Sequence, residues 1–149
     1  MSDMNYERKK TMNQKNTVDV AVKFIEKINR RDINGLLGIM SPDHKAFDEG
    51  GEVTAGSEKA MKMIADYITQ WPDFQIHIND VYLNNENVII IGRTIGSCAE
   101  TSCGTEIRKR LIYVLKVENG LVVEFHYALR DDNKTRSDLG IDSAIKITE

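Results

Sequence analysis

At Phe74 the hydrophobic pattern of the chain switches from a helical period to strict alternation, and this switch constrains the fold more than any other sequence feature. Downstream, Phe74, Ile76 and Ile78 alternate with Gln75, His77 and Asn79, the signature of a strand with one buried face. Asn84-Asn85-Glu86-Asn87 reads as a turn, and Val88 to Ile95 as an apolar strand interrupted by Gly92 and Arg93. Ile107 to Val117 alternates again, Glu118-Asn119-Gly120 is a tight-hairpin signal, and Leu121 to Leu129 forms the last long strand.

Upstream the period is that of helices. Val18, Val22, Ile25 and Ile28 recur at spacings of four and three, with Ala21 and Phe24 widening the stripe. Thr17 is placed to cap this helix, which makes the polar residues 1–16 a flexible extension. Asp32 can cap a second helix running through Leu36, Leu37, Ile39 and Met40 to a stop at Ser41-Pro42. After an extended piece from His44 to Asp48 and a Gly-rich turn, Gly56-Ser57 opens a third helix. Its buried face is Met61, Ile64, Ala65 and Ile68, and Trp71-Pro72 ends it.

Helices first and hairpin-linked strands after specify an α+β domain: a cone-shaped, curved antiparallel β-sheet packed on three helices. The domain is expected over residues 17–140, with 141–149 as a C-terminal tail. Three helices cannot cover such a sheet completely, and the remaining space is the expected ligand cavity.

The length of 149 residues suits one domain, and 41% hydrophobic with 29% charged residues is ordinary for a globular chain. A net charge of −3 gives no basic face for nucleic acid, and the short run Arg108-Lys109-Arg110 reads as a solvated strand end. No apolar run is long enough to cross a membrane, and the N-terminal segment lacks the apolar stretch of a secretory signal, so the cytoplasm is the expected location. Cys98 and Cys103 flank an expected hairpin loop; they could reach disulfide distance, but free thiols are expected in a reducing compartment. His44, His77 and His126 share no metal-ligand spacing, so no metal is expected. No phosphate-binding loop, nucleophile elbow or dinucleotide fingerprint is present, and no cofactor is expected.

Asp48, in Ala46-Phe47-Asp48-Glu49-Gly50-Gly51, is the lone carboxylate of the short extended piece. Either it points into the cavity as a general base, its pKa raised by burial among Phe24, Met40, Met61 and Phe125, or it caps the Gly50-Gly51 turn and faces solvent. Strand parity puts Leu121, Val123, Phe125, Tyr127 and Leu129 on the core side and continues to Asp131 at the cavity mouth. In the preceding strand, Leu111, Tyr113, Leu115 and Val117 face the cavity, where the Tyr113 hydroxyl can donate to an enolate oxygen. Ile112 and Val114 are then exposed on the outer sheet face, which is expected to pair two copies into a homodimer. Phe24, His44, Met61, Trp71, Phe125 and Tyr127 are the expected ligand-binding residues.

Three groups of strings, in order, resemble the nuclear-transport-factor-2-like superfamily, which includes SnoaL-like polyketide cyclases and ketosteroid isomerases. They are Ala21 to Gly35; Phe47-Asp-Glu-Gly-Gly51 with Gly56-Ser-Glu-Lys-Ala60; and Glu118 to Glu124 with Asp138-Leu-Gly140. The resemblance covers residues 17 to 140. It implies that Asp48 matches the proton-shuttling base of the isomerases. It puts Phe24, which cannot donate, where they carry a tyrosine, and Tyr113 near their second donor if one gap is allowed. The cyclases place an acid at the end of the last strand, where Asp131 or Asp132 stands, with Arg130 beside them.

The expected function is therefore a pocket for a small hydrophobic, carbonyl-containing molecule, used in one of two ways. One is cofactor-independent isomerase or cyclase chemistry by proton transfer, with Asp48 as base, Tyr113 as donor and Asp131 as second acid. The other is a non-catalytic ligand-binding or assembly module of the same fold. An inward Asp48 with a donor in the same void separates the first from the second.

Overall fold

The switch at Phe74 marks the boundary between the last long helix and the long strands that lie between Gln75 and Arg130. The structure, a computed structural model, describes residues 2–48, 50–96 and 110–147, with side chains from residue 14 onward. The elements are α1 (Ser2–Arg30), α2 (Ile33–Gly38), β1 (Met40–Phe47), β2 (Val53–Ala55), α3 (Ser57–Gln70), β3 (Gln75–Asn84), β4 (Asn87–Ile95), β5 (Arg110–Glu118), β6 (Leu121–Arg130), α4 (Asn133–Asp138), a 3-10 turn at Ile141–Ser143, and β7 (Ile145–Ile147). Cys98, Cys103, Arg108 and Lys109 lie outside the described residues.

All strands join one curved, unclosed sheet in the order β2-β1-β6-β5-β4-β3-β7. Among the described residues every pairing is antiparallel except β1 with β6, which is parallel. The α+β class therefore holds, with one parallel junction and a fourth, short helix added. No helix among the described residues is long and apolar enough to cross a membrane.

The local stops behave as their chemistry requires. Asp32 caps α2 by accepting from the Gly35 amide at 3.0 Å, and its carboxylate meets Lys27 Nζ at 3.3 Å. Trp71 closes α3. Asn119 and Gly120 both adopt positive φ, 54° and 77°, the conformation a two-residue hairpin needs to match strand twist. A side chain at Gly92 would place its Cβ 2.5 Å from the His77 carbonyl oxygen, so only glycine fits beside the irregularity in β3 between Ile78 and Asp80.

Four expectations are corrected here. Thr17 is no N-cap, because α1 runs without a break from Ser2 to Arg30. Met40 does not end α2; it opens β1, which carries Pro42 through an irregular stretch between Met40 and Lys45. Residues 141–147 are no loose tail: β7 pairs with β3, and Ile141 is buried. Ile112 and Val114 are buried rather than exposed. With Ile89 and Ile91 they form a second apolar cluster on the outer sheet face, packed with Ile141, Leu139, Leu129 and Tyr82. The C-terminal segment thus takes up apolar surface that was expected to pair two copies.

The concave face carries the main core. Val18, Ala21, Phe24, Ile25 and Ile28 of α1 and Ala60, Met61, Ile64 and Ile68 of α3 pack against Ile76, Ile90, Leu115, Val122 and Phe125. Burying a side chain of this kind stabilises the fold by about 1.5–3 kcal/mol each. Arg31, itself at φ 58°, fixes the lower end of this layer. Its guanidinium donates to the carbonyls of Asn29 (2.9 Å), Phe74 (2.6 Å), Trp71 (3.1 Å) and Pro72 (2.7 Å), pinning the α3–β3 connection to the end of α1.

Candidate functional site: an apolar cavity under α3

Between α3 and the concave sheet face the packing leaves a cavity of about 410 Å³, a volume suited to a small ligand. From α3 it is bounded by Met63, Ile64, Asp66, Tyr67, Ile68 and Gln70. The sheet supplies Ile76, Thr94, Leu111, Tyr113, Phe125, Tyr127 and Ala128, with Ile28 and Phe74 at the end near Arg31. Asp66, Tyr67 and Gln70 are exposed, so the cavity opens along their side of α3.

Two irregularities in β6 decide what faces this space. The pairing of β5 with β6 shifts between Lys116 and Val117 and again between Ile112 and Val114. The first places Val122, not Val123, in the core. At the second, Ala128 takes φ 60°, and the extra residue reverses the alternation beyond it. Phe125 and Tyr127 therefore face inward, whereas Leu129 packs with the outer cluster.

That reversal corrects the placement of Asp131. It does not reach the cavity mouth; its carboxylate is held in a bidentate ion pair with Arg136, at 2.6 Å from Nε and 3.1 Å from Nη2. Asp132 turns to α4 and caps it by accepting from the Thr135 amide at 2.8 Å.

Asp48 does not line the cavity either. Its Oδ1 accepts from the amides of Gly50 (2.9 Å) and Glu52 (2.8 Å), while its backbone closes the same turn through Glu52 and Gly51. The turn-capping alternative describes this geometry. Asp48 nonetheless follows the Phe47–His126 register pair, on the flank of Tyr127, and its charge acts on that tyrosine. Burial first, then Asp48 and Glu52, push the Tyr127 hydroxyl above its ordinary pKa.

Tyr113, Phe125 and Tyr127 are the expected residues that the fold brings together. Phe125 lies 6.1 Å from the Tyr113 ring and 5.6 Å from the Tyr127 ring, centroid to centroid. Tyr113 is 3% exposed, and burial, with a smaller contribution from Tyr67, pushes its hydroxyl well above the usual tyrosine pKa. It is a neutral hydrogen-bond donor throughout the physiological range. The Tyr127 hydroxyl lies 3.5 Å from the Met63 sulfur, a weak acceptor.

The remaining expected lining residues stand elsewhere. Phe24 is fully buried behind Phe125, 5.0 Å away between ring centroids, and Met61 lies in the core one turn from the cavity face of α3. Trp71 caps α3 and offers its carbonyl to Arg31. His44 is fully buried and stacked on Phe24 at 6.1 Å. Its Nδ1 lies 2.8 Å from the Val122 carbonyl, which can only accept, so the proton sits on Nδ1. The ring thus supplies a hydrogen bond beside the irregular part of β1, and burial holds its pKa below the ordinary value. Among the described residues Nε2 has no hydrogen-bond partner.

The sequence reading missed the α3 contribution. Met63, Tyr67 and Gln70 recur at spacings of four and three, a second stripe beside the buried one, and that spacing was the available signal. Among the described residues no three His, Cys, Asp or Glu side chains are grouped to hold a metal ion.

A profile of the SnoaL-like domain matches residues 21–125. The chain belongs to the SnoaL-like domain family. Solved structures agree on the fold. A cystatin-fold protein from Novosphingobium aromaticivorans superposes with a TM-score of 0.63 at 18% identity, over 74% of this chain and 96% of that one. A candidate polyketide cyclase from Sinorhizobium meliloti gives 0.63 at 12% identity, over 73% and 93%. A candidate ketosteroid isomerase from Kribbella flavida gives 0.61 at 15% identity, over 77% and 78%. Comparison with curated proteins finds no match. Within this SnoaL-like domain, the positions carried over from isomerases and cyclases do not converge: Tyr113 lines the cavity, Asp48 holds a turn, and Asp131 is paired beside α4.

Proposed function

We propose that this SnoaL-like domain binds a small, largely apolar molecule in the cavity under α3, and that the Tyr113 hydroxyl donates to a carbonyl or similar acceptor on it. The observation that carries the reading is a buried, protonated phenol in a mostly apolar lining that also holds the polar side chains of Thr94 and Tyr127. Among the described lining residues, the one carboxylate is Asp66, at the exposed mouth rather than beside Tyr113. Binding without proton transfer is therefore the better-supported use of the cavity.

A second reading has one observation in its favour. Asp48 sits near enough to act on Tyr127, itself a lining residue, so an isomerase or cyclase reaction would have to route the Asp48 charge through that phenol. Methyl NMR with the neutral naphthyl ketone prodan tests the binding reading. Shifts at Ile28, Ile64, Ile68 and Ile76, without shifts at Ile89 and Ile91 across the sheet, support it. Shifts confined to surface residues contradict it.

A further inference from the structure

The opening of the cavity is acidic. Asp66 lines it and makes no ion pair among the described residues. Asp48 and Glu52 do not line the cavity, but their charges act on the hydroxyl of Tyr127, which does. No lysine, arginine or histidine stands among the described lining residues. The deep end differs in kind: Tyr113 offers a neutral donor between Phe125 and Leu111. Polarity thus runs along the cavity, from the Tyr113 donor inside to the Asp66 carboxylate at the mouth.

Resting on the binding reading above, we propose that the cavity selects ligands with an apolar body and a cationic amine at the solvent end, and discriminates against carboxylate-bearing ligands of the same shape. An ammonium at the mouth meets the Asp66 carboxylate. A carboxylate there is repelled by Asp66 and finds no cation among the described lining residues. The interaction with exposed Asp66 is partly solvated, so the discrimination is modest: roughly two- to fivefold in affinity at low salt. It shrinks as salt screens the mouth.

The test uses three probes with one body: naphthylpropylamine, naphthylpropanol and naphthylpropionate, titrated calorimetrically into the full chain at neutral pH and low ionic strength. The expected order is amine tightest, alcohol intermediate and carboxylate weakest. Asp66→Asn, at an exposed position that the fold does not depend on, should bring the amine at least twofold closer to the alcohol. A carboxylate that binds as tightly as the amine overturns the charge selection and leaves the binding reading standing. So does an amine advantage that Asp66→Asn leaves untouched. Absence of binding by all three, the neutral alcohol included, removes the binding reading itself and the selection with it.

Discussion

The Tyr127 hydroxyl lies 3.5 Å from the Met63 sulfur, and Thr54 Oγ1 approaches the same sulfur at 3.8 Å. Met63 is thereby tied to β2 and β6 at the cavity edge, two positions along the helix from Met61, which is buried in the core. The two methionines should respond differently to truncation. Met61→Ala removes packed core atoms and is expected to cost about 2–5 kcal/mol. Met63→Ala removes a side chain with open space on one face and should cost less than half as much while widening the cavity. Urea denaturation of both variants measures the difference, and equal losses would contradict the placement of the cavity wall.

Asp48 serves the turn that follows β1. Asp48→Asn keeps an acceptor for the Gly50 and Glu52 amides, so stability and prodan affinity should both stay close to those of the parent chain. Asp48→Ala removes two hydrogen bonds and should cost about 1–3 kcal/mol. A loss of ligand turnover in Asp48→Asn, with the fold intact, would favour the proton-transfer reading instead.

Arg31 holds four carbonyls with one planar group. Arg31→Ala should lower stability by about 2–3 kcal/mol in chemical denaturation. Arg31→Lys should recover little of this, because an ammonium cannot reproduce the fork of donors. Full rescue by lysine would show that charge alone fastens the α3–β3 connection.

His44 links stability to pH. Its pKa is below the ordinary 6.5 because burial disfavours the cation. The unfolded chain therefore takes up a proton at a higher pH than the folded chain does. Stability from this group is fully present above about pH 6.5 and falls as pH drops through the window between the unfolded and folded pKa values. His44→Gln should flatten that part of the stability profile, read from denaturation midpoints between pH 7.5 and about 5. An unchanged slope would show that other groups set the acid limb.

Much of the fold was legible because its signals are local. The Asp32 cap, the Gly56-Ser57 start of α3, the Trp71 stop and the Asn119-Gly120 hairpin each depend on a few neighbouring residues. The site was less legible because it depends on parity. One extra residue at Ala128 reverses the alternation of β6, keeping Tyr127 inside and sending Asp131 to Arg136. Alternation counted along the sequence carries no mark of that bulge. The same limit applies to Ile112 and Val114, whose covering residues come from a C-terminal segment with short, weak strand signals. The inward side of β5 was read correctly, since Leu111 to Val117 carries no such irregularity among its own residues.

The most direct measurement is a prodan fluorescence titration of the parent chain, Tyr113→Phe and Ile64→Trp, the last filling the cavity from α3. The account predicts saturable binding with a blue-shifted emission for the parent chain. It predicts a roughly two- to tenfold weaker affinity for Tyr113→Phe, the worth of one hydrogen bond, and no saturable binding for a folded Ile64→Trp. Parent-like affinity in both variants would contradict it.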